Sequence, residues 1–236
     1  MAPEPPHPSP GRKKLRQAVQ IVASTGLWVA ALFGGAGSFG WLRGWIYFAA
    51  YLGLMIGGGI VVHRVNPGLF EARSRWRRRD TKPFDKVFLA VFLPLAYIQP
   101  FIGGLDNVRY HWWPIPFVAI YPGLLLFILA VALICWTMAV NPFAESTVRI
   151  QTDRGHSVVT AGPYRFVRHP MYVGAILMYL ATPLLLGSMW AFMLSLLVIL
   201  LFVVRTALED RTLHHELPGY PAYAAATRYR LLPGLW

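Results

Sequence analysis

Residue types that can do chemistry gather at Gly162 to Gly174, which reads Gly-Pro-Tyr-Arg-Phe-Val-Arg-His-Pro-Met-Tyr-Val-Gly and joins a polar loop to a long apolar run. Arginines, a histidine and tyrosines at the mouth of an apolar helix are poorly explained by packing, because each polar group needs a partner at that depth. A second set lies downstream, where Arg205 and Glu209 are four residues apart and so share a helix face, with Asp210 beside them. Two readings stand side by side: an i,i+4 salt bridge at a helix end, or a carboxylate for a ribose diol and a guanidinium for an anionic group. A third set is the loop Asn141-Pro142-Phe143, Gln151 and Gly155-His156-Ser157-Val158-Val159-Thr160, able to present amides and carbonyls to the edge of a planar ligand. Tyr220, Tyr223, Arg228, Arg230 and Pro233 suit a tail folded back over such a site. His214 and His215 are adjacent on a helix, point in different directions, and are not expected to share a metal.

The elements that must position these residues are apolar. The chain is 56% hydrophobic and 14% charged over 236 residues, more apolar than a soluble domain needs to be, which makes it an integral membrane protein. Its net charge of +12 falls between apolar runs and not on a soluble face, so it reports topology and not nucleic-acid binding. Cys135 lies inside an apolar run, so no disulfide framework or thiolate metal cluster is expected and a small buried hydrophobe is its expected role.

The expected organisation is a disordered basic tail over 1–16, four transmembrane helices over 17–140, and a catalytic region over 141–236. The tail is proline-rich, then basic at Arg12, Lys13, Lys14 and Arg16. The spans run from about Ala18 to Phe39, Trp45 to Val62, Val87 to Gly104 and Phe117 to Val140, the first too long for a signal-peptide core. Tyr110, Trp112 and Trp113 suit a water interface. The last run, Tyr172 to Val204, is broken at Thr182-Pro183 and Gly187-Ser188 and should be a helical hairpin. The fold class is therefore all-α and integral to the membrane, with about six apolar helical segments and both termini on one side. That side holds 20 of the 22 Lys and Arg residues, leaving Arg43 and Arg109 opposite, so the positive-inside rule makes it cytoplasmic.

Other patterns are structural. Gly35-Ala36-Gly37-Ser38-Phe39-Gly40 matches a dinucleotide-binding fingerprint but ends a span instead of joining a strand to a helix, so a turn or close helix packing is expected. Gly57-Gly58-Gly59 likewise suggests close helix contact. The basic loop from His63 to Lys86 suits an anionic lipid surface, or a phosphorylated substrate.

The series Gly-His-Ser-Val-Val-Thr-Ala-Gly-Pro-Tyr, then Arg168-His169-Pro170-Met171-Tyr172-Val173-Gly174, then Arg205-x-x-x-Glu209 and a terminal Gly-Tyr-x-x-Tyr…Arg…Pro, resembles the isoprenylcysteine carboxyl methyltransferase family. The wider group includes the phospholipid methyltransferases. The resemblance spans about Asn141 to Trp236. It implies S-adenosylmethionine held under the cytoplasmic surface by Gln151, His156, Ser157, Val158, Val159, Tyr164, His169, Pro170, Met171, Tyr172 and Glu209. It further implies that Arg205 meets a substrate carboxylate, and Arg168 and Arg228 are expected as further substrate-binding cations. Glu209-Asp210 stands where the family often has paired glutamates.

Methyl transfer from a sulfonium needs alignment and exclusion of water, and an ionised carboxylate acceptor needs no general base. The expected partners are a lipophilic methyl acceptor and the bilayer, with no nucleic acid and no metal; a bacterial plasma membrane is the expected location. A rival is an NADPH-dependent sterol-type reductase, which carries a related Arg-His-Pro-x-Tyr-x-Gly element; Met171 and Ala175 stand where those enzymes usually have asparagine and aspartate. A transporter or scaffold is the non-enzymatic alternative, but the spans lack mid-membrane ionisable residues.

Overall fold

A computed structural model describes residues 10–74 and 80–236. Among these the chain is all-α, with no strand: α1 (Pro10–Ala36), α2 (Leu42–Val65), α3 (Gly68–Ser74), α4 (Pro83–Gly104), α5 (Ile120–Val140), α6 (Pro170–Leu186), α7 (Met189–Glu216) and α8 (Tyr220–Ala226). Five helices are long and apolar enough to cross a membrane, and α6 is a shorter apolar one, so the six expected apolar segments are all present. Residues 1–9 of the expected tail and 75–79 of the basic loop lie outside the described residues. Residues 10–16 lie in the first turns of α1.

The helices pack in the spatial order α1, α4, α7, α6, α5, α2, with α2 also touching α6. Lipid must supply the other contacts, since the most apolar window of α2 buries only 11% of its residues in the protein. Small residues set the closest crossings. A Cβ on Gly35 would lie 2.0 Å from the Phe101 carbonyl oxygen, so the fingerprint-like glycine is where α1 meets α4 backbone to backbone. Gly174 plays the same part between α6 and α5, where a Cβ would come within 2.6 Å of Ile134 Cγ1. In the glycine triplet only Gly58 makes a tight contact, against Cys135 Sγ.

The hairpin turns at Gly187-Ser188, while Pro183 stays inside α6. Gly187 adopts φ 76°, which glycine tolerates, and a side chain there would strike Arg43. Ser188 caps α7 by accepting from Ala191 N (3.0 Å) and donates to the wholly buried Asp106 (2.6 Å). Asp106 sits in a π-helical extension of α4, Leu105–Tyr110, and also accepts from Trp113 N at 2.8 Å. Arg43 donates to the carbonyls of Leu184 and Ile115. This end of the bundle is thus fastened by polar groups that satisfy helix-terminal carbonyls.

At the other end α7 is the main post. Its 28 residues make about 42 Å of helix, more than the roughly 30 Å hydrocarbon layer needs, so its last turns carry residues into the interface. Arg205, Glu209 and Asp210 lie on those turns.

Candidate active site

A cavity of about 680 Å³ lies between the loop of residues 141–159, the start of α6, the end of α7 and the flank of α4. All the expected cofactor residues line it except Pro170: Gln151, His156, Ser157, Val158, Val159, Tyr164, His169, Met171, Tyr172 and Glu209. Pro170 is at the first position of α6, where the missing N–H costs nothing. Arg205 and Arg168 also border the cavity, whereas Arg228 is exposed and outside it.

The loop wall has little regular structure and is held by side chains. Arg149, 4% exposed, bonds both oxygens of Glu145 (2.8 and 3.0 Å) and reaches Asp153 (2.7 Å) and Asp80 (3.1 Å). The bond to Glu145 leads the effects that hold its pKa above the usual arginine value. Gln151 donates to the Phe143 carbonyl at 2.7 Å and accepts from Arg154 at 2.6 Å, so both ends of its amide are committed to shaping the loop. Its backbone N–H donates to His156 Nδ1 at 3.3 Å, and the His156 ring lies 4.7 Å from that of Phe143. Burial pushes the His156 pKa down, in keeping with an acceptor Nδ1 on a neutral ring. Asn141 donates to the Tyr164 hydroxyl at 2.5 Å, and Tyr223 donates to the Tyr164 carbonyl at 2.8 Å. Desolvation raises both phenols, Tyr223 to about 12, so they remain neutral hydrogen-bonding groups.

Glu209 and Asp210 are adjacent but have separate tasks. Asp210, 1% exposed, gathers Arg168 (Nε at 2.9 Å, Nη2 at 3.1 Å), Arg230 (2.8 Å), Tyr220 (2.8 Å) and His169 (3.3 Å). The Nη1 of Arg168 donates to the carbonyls of Ala224, Thr227 and Arg228. Both Nη nitrogens of Arg168 are therefore hydrogen-bonded in tying the C-terminal segment to α7, while its Nε stands against Asp210 as a charge contact without an aligned bond. The backbone N–H groups of Arg168 and His169 add bonds to the Tyr229 and Arg230 carbonyls. Arg168 thus clamps the C-terminal segment through its Nη donors while bordering the cavity, and Arg228, which lies outside the cavity, lends its carbonyl to that clamp.

Glu209 faces the cavity, where it accepts a short hydrogen bond from the Tyr172 hydroxyl. His169 stacks on Tyr172 with ring planes 1° apart. Arg205 does not bridge to Glu209. It lies over the rings of Phe88 (4.4 Å) and Tyr172 (5.1 Å), donates to the Ser146 carbonyl (3.2 Å), and stands 2.8 Å from the wholly buried Asp85 of α4. That last approach is a charge contact and not an aligned hydrogen bond, which leaves Arg205 Nε without an aligned acceptor. The other Asp85 oxygen accepts from Val148 N at 2.7 Å, locking α4 to the loop.

Asp85 was not among the expected site residues. Its one sequence signal is an acid in the first turn of a span, which also reads as a favourable helix-dipole residue. Phe88, Leu89, Phe92, Leu93 and Tyr97 of α4 line the cavity with Ala175 and Phe202, and Leu93 is 40% exposed. One cavity thus passes from a polar wall to an apolar one. Among the described residues no group of three His, Cys, Asp or Glu side chains could hold a metal ion.

Residues 118–217 match the family model described as phospholipid methyltransferase. That segment is thus similar to the phospholipid methyltransferases, a family grouped with the isoprenylcysteine carboxyl methyltransferases, and it lies in a chain with several helices able to cross a membrane. The match contains α5, the motif, Arg205 and Glu209, but neither Asp85 nor Arg230. No curated protein gives a significant match.

Proposed function

We propose that the polar end of the cavity binds S-adenosylmethionine and the apolar end a lipid-tailed acceptor, whose carboxylate is methylated next to Arg205. The observation that carries this reading is the single cavity whose lining changes from Glu209, His156 and Tyr164 to Phe88, Phe92 and Leu93, with Arg205 where the two meet. Its volume suits small-molecule ligands, which fall at about 300–1,000 Å³. The donor set fits the cofactor: Glu209 offers a carboxylate for a ribose diol, and the 141–159 loop offers amides and carbonyls for a base edge.

When bound, S-adenosylmethionine would supply an electrophilic methyl group, with its sulfonium sulfur as the leaving group. Arg205 orients the acceptor carboxylate, and Asp85 fixes Arg205. Phe88, Tyr172 and Phe202 keep water from the line of attack. The carboxylate is already ionised, so no side chain has to remove a proton. The asymmetric distribution of Lys and Arg supports a cytoplasmic site with both termini on that side, and a bacterial plasma membrane is the proposed setting.

The test is equilibrium binding of S-adenosylhomocysteine and of NADPH to the detergent-solubilised protein. S-adenosylhomocysteine should bind, Glu209→Ala should abolish that binding, and Arg205→Ala should lose turnover with binding retained. Tight NADPH binding without S-adenosylhomocysteine binding would establish the reductase instead.

A further inference from the structure

The cavity has a cation that the methyltransferase motif does not include. Arg73, at the end of α3, lines it, and lies outside the matched segment. Its position is built and not incidental. Asn66, just before α3, donates to the Met138 and Asn141 carbonyls, and Leu69 of α3 is wholly buried against Val62, Met138 and Ala144. Ser146 donates to the Arg73 carbonyl at 3.3 Å.

The guanidinium itself meets only neutral groups by hydrogen bond. Its Nη1 donates to the Ala144 carbonyl at 2.7 Å and the Glu145 carbonyl at 3.4 Å, and approaches Met171 Sδ at 4.0 Å. Among the described residues Arg73 has no carboxylate within ion-pair distance, and its Nε and Nη2 make no hydrogen bond. The other charges around it are accounted for. Asp85 stands against Arg205, Glu209 accepts from Tyr172, and Glu145 is bonded by Arg149. Burial foremost, and then Arg205, lowers the pKa of Arg73, so the two guanidiniums sense each other across the same space. A cation lodged between protein and interface without a counter-ion is costly unless an anion visits it.

We infer that Arg73, with Arg205, forms a two-arginine site for the anionic group of the lipid-tailed acceptor, Arg73 supplying the charge that Asp85 leaves unmatched. This rests on the methyltransferase reading of the cavity and makes it more specific. The required ligand chemistry is an oxyanion, carboxylate or phosphate, joined to an apolar chain that reaches Phe92 and Leu93. A guanidinium with free donors suits either geometry.

Two matched pairs of probes test it on the full-length protein in detergent: S-farnesylthioacetic acid against its methyl ester, and didecanoyl phosphatidic acid against didecanoylglycerol. Wild type should bind the charged member of at least one pair about tenfold or more tightly, and the pair preferred identifies the oxyanion. Arg73→Gln should shrink that preference to within about twofold, with S-adenosylhomocysteine affinity unchanged. Arg73→Lys, which keeps the cation, should retain most of it. No preference in wild type, a preference that survives in Arg73→Gln, or a lysine variant as indifferent as the glutamine one would each overturn the inference. S-adenosylhomocysteine failing to bind wild type would instead strike the methyltransferase reading, leaving the probe preference to be read separately.

Discussion

Asp85 on α4 and Arg205 on α7 stand 2.8 Å apart and are almost wholly buried, with Arg205 bordering the cavity. Removing the carboxylate strands a buried guanidinium, which typically costs about 3–5 kcal/mol. Asp85→Asn should therefore lower the thermal midpoint and cut turnover together. The double variant Asp85→Asn/Arg205→Gln should recover stability but not turnover. A thermal-unfolding cycle on the four proteins checks this; additive losses would show that the pair is not coupled.

The His156 ring predicts a pH dependence. Burial holds its folded pKa below the usual histidine value of about 6.5, so the unfolded state binds the proton more readily. The loop is at full stability above about pH 6.5 and loses stability as pH falls from there toward the lowered folded value. Protonation also removes the Nδ1 acceptor used by Gln151 N. S-adenosylhomocysteine affinity should decline below about pH 6.5 in wild type, and the decline should be much shallower in His156→Gln. Binding isotherms from pH 8 to 5.5 provide the comparison.

Asp210→Asn should act on the C-terminal segment. Asparagine turns an amide N–H₂ toward guanidiniums that need an acceptor, and it leaves Arg168 buried without its counter-charge, a loss of about 3–5 kcal/mol. Hydrogen exchange should accelerate across residues 217–236 while the amides of α1 and α2 stay protected. Asp210→Glu, which keeps the charge, should fall between the two. Uniform exchange in the asparagine variant would mean that the clamp is not what holds the segment.

Two glycines separate packing from sequence pattern. Gly35→Ala would push a Cβ into the Phe101 backbone and should destabilise by about 1–3 kcal/mol, whereas Gly57→Ala meets nothing within 4 Å and should be neutral or slightly stabilising. Thermal midpoints in one detergent decide it.

The spans, the hairpin break and most of the polar wall were legible because they depend on local signals: hydropathy, a Gly-Ser turn, and a run of chemically unusual residues at a helix mouth. Partner choice was not. Arg205 and Glu209, four apart, read as possible partners, yet their partners are Asp85 and Tyr172, which sit far away in sequence. Arg168 read as a substrate-binding cation because nothing in its neighbourhood reveals that Asp210 and three carbonyls of the C-terminal segment would engage its Nη donors. Arg73 and Asp85 were hidden for the same reason: a short helix and a first-turn acid look ordinary until α3, α4 and the loop at residues 141–159 converge.

The Asp210 hub also bears on biosynthesis. A chain emerging in order places α7 at the membrane before Tyr220 and Arg230 have been made, so for that interval a carboxylate destined for burial has only Arg168 and His169 beside it. The membrane bundle can assemble early, but the pocket's wall is fastened only when Arg230 arrives. A nascent chain halted between Asp210 and Arg230 should thus be inserted, multi-pass and catalytically silent.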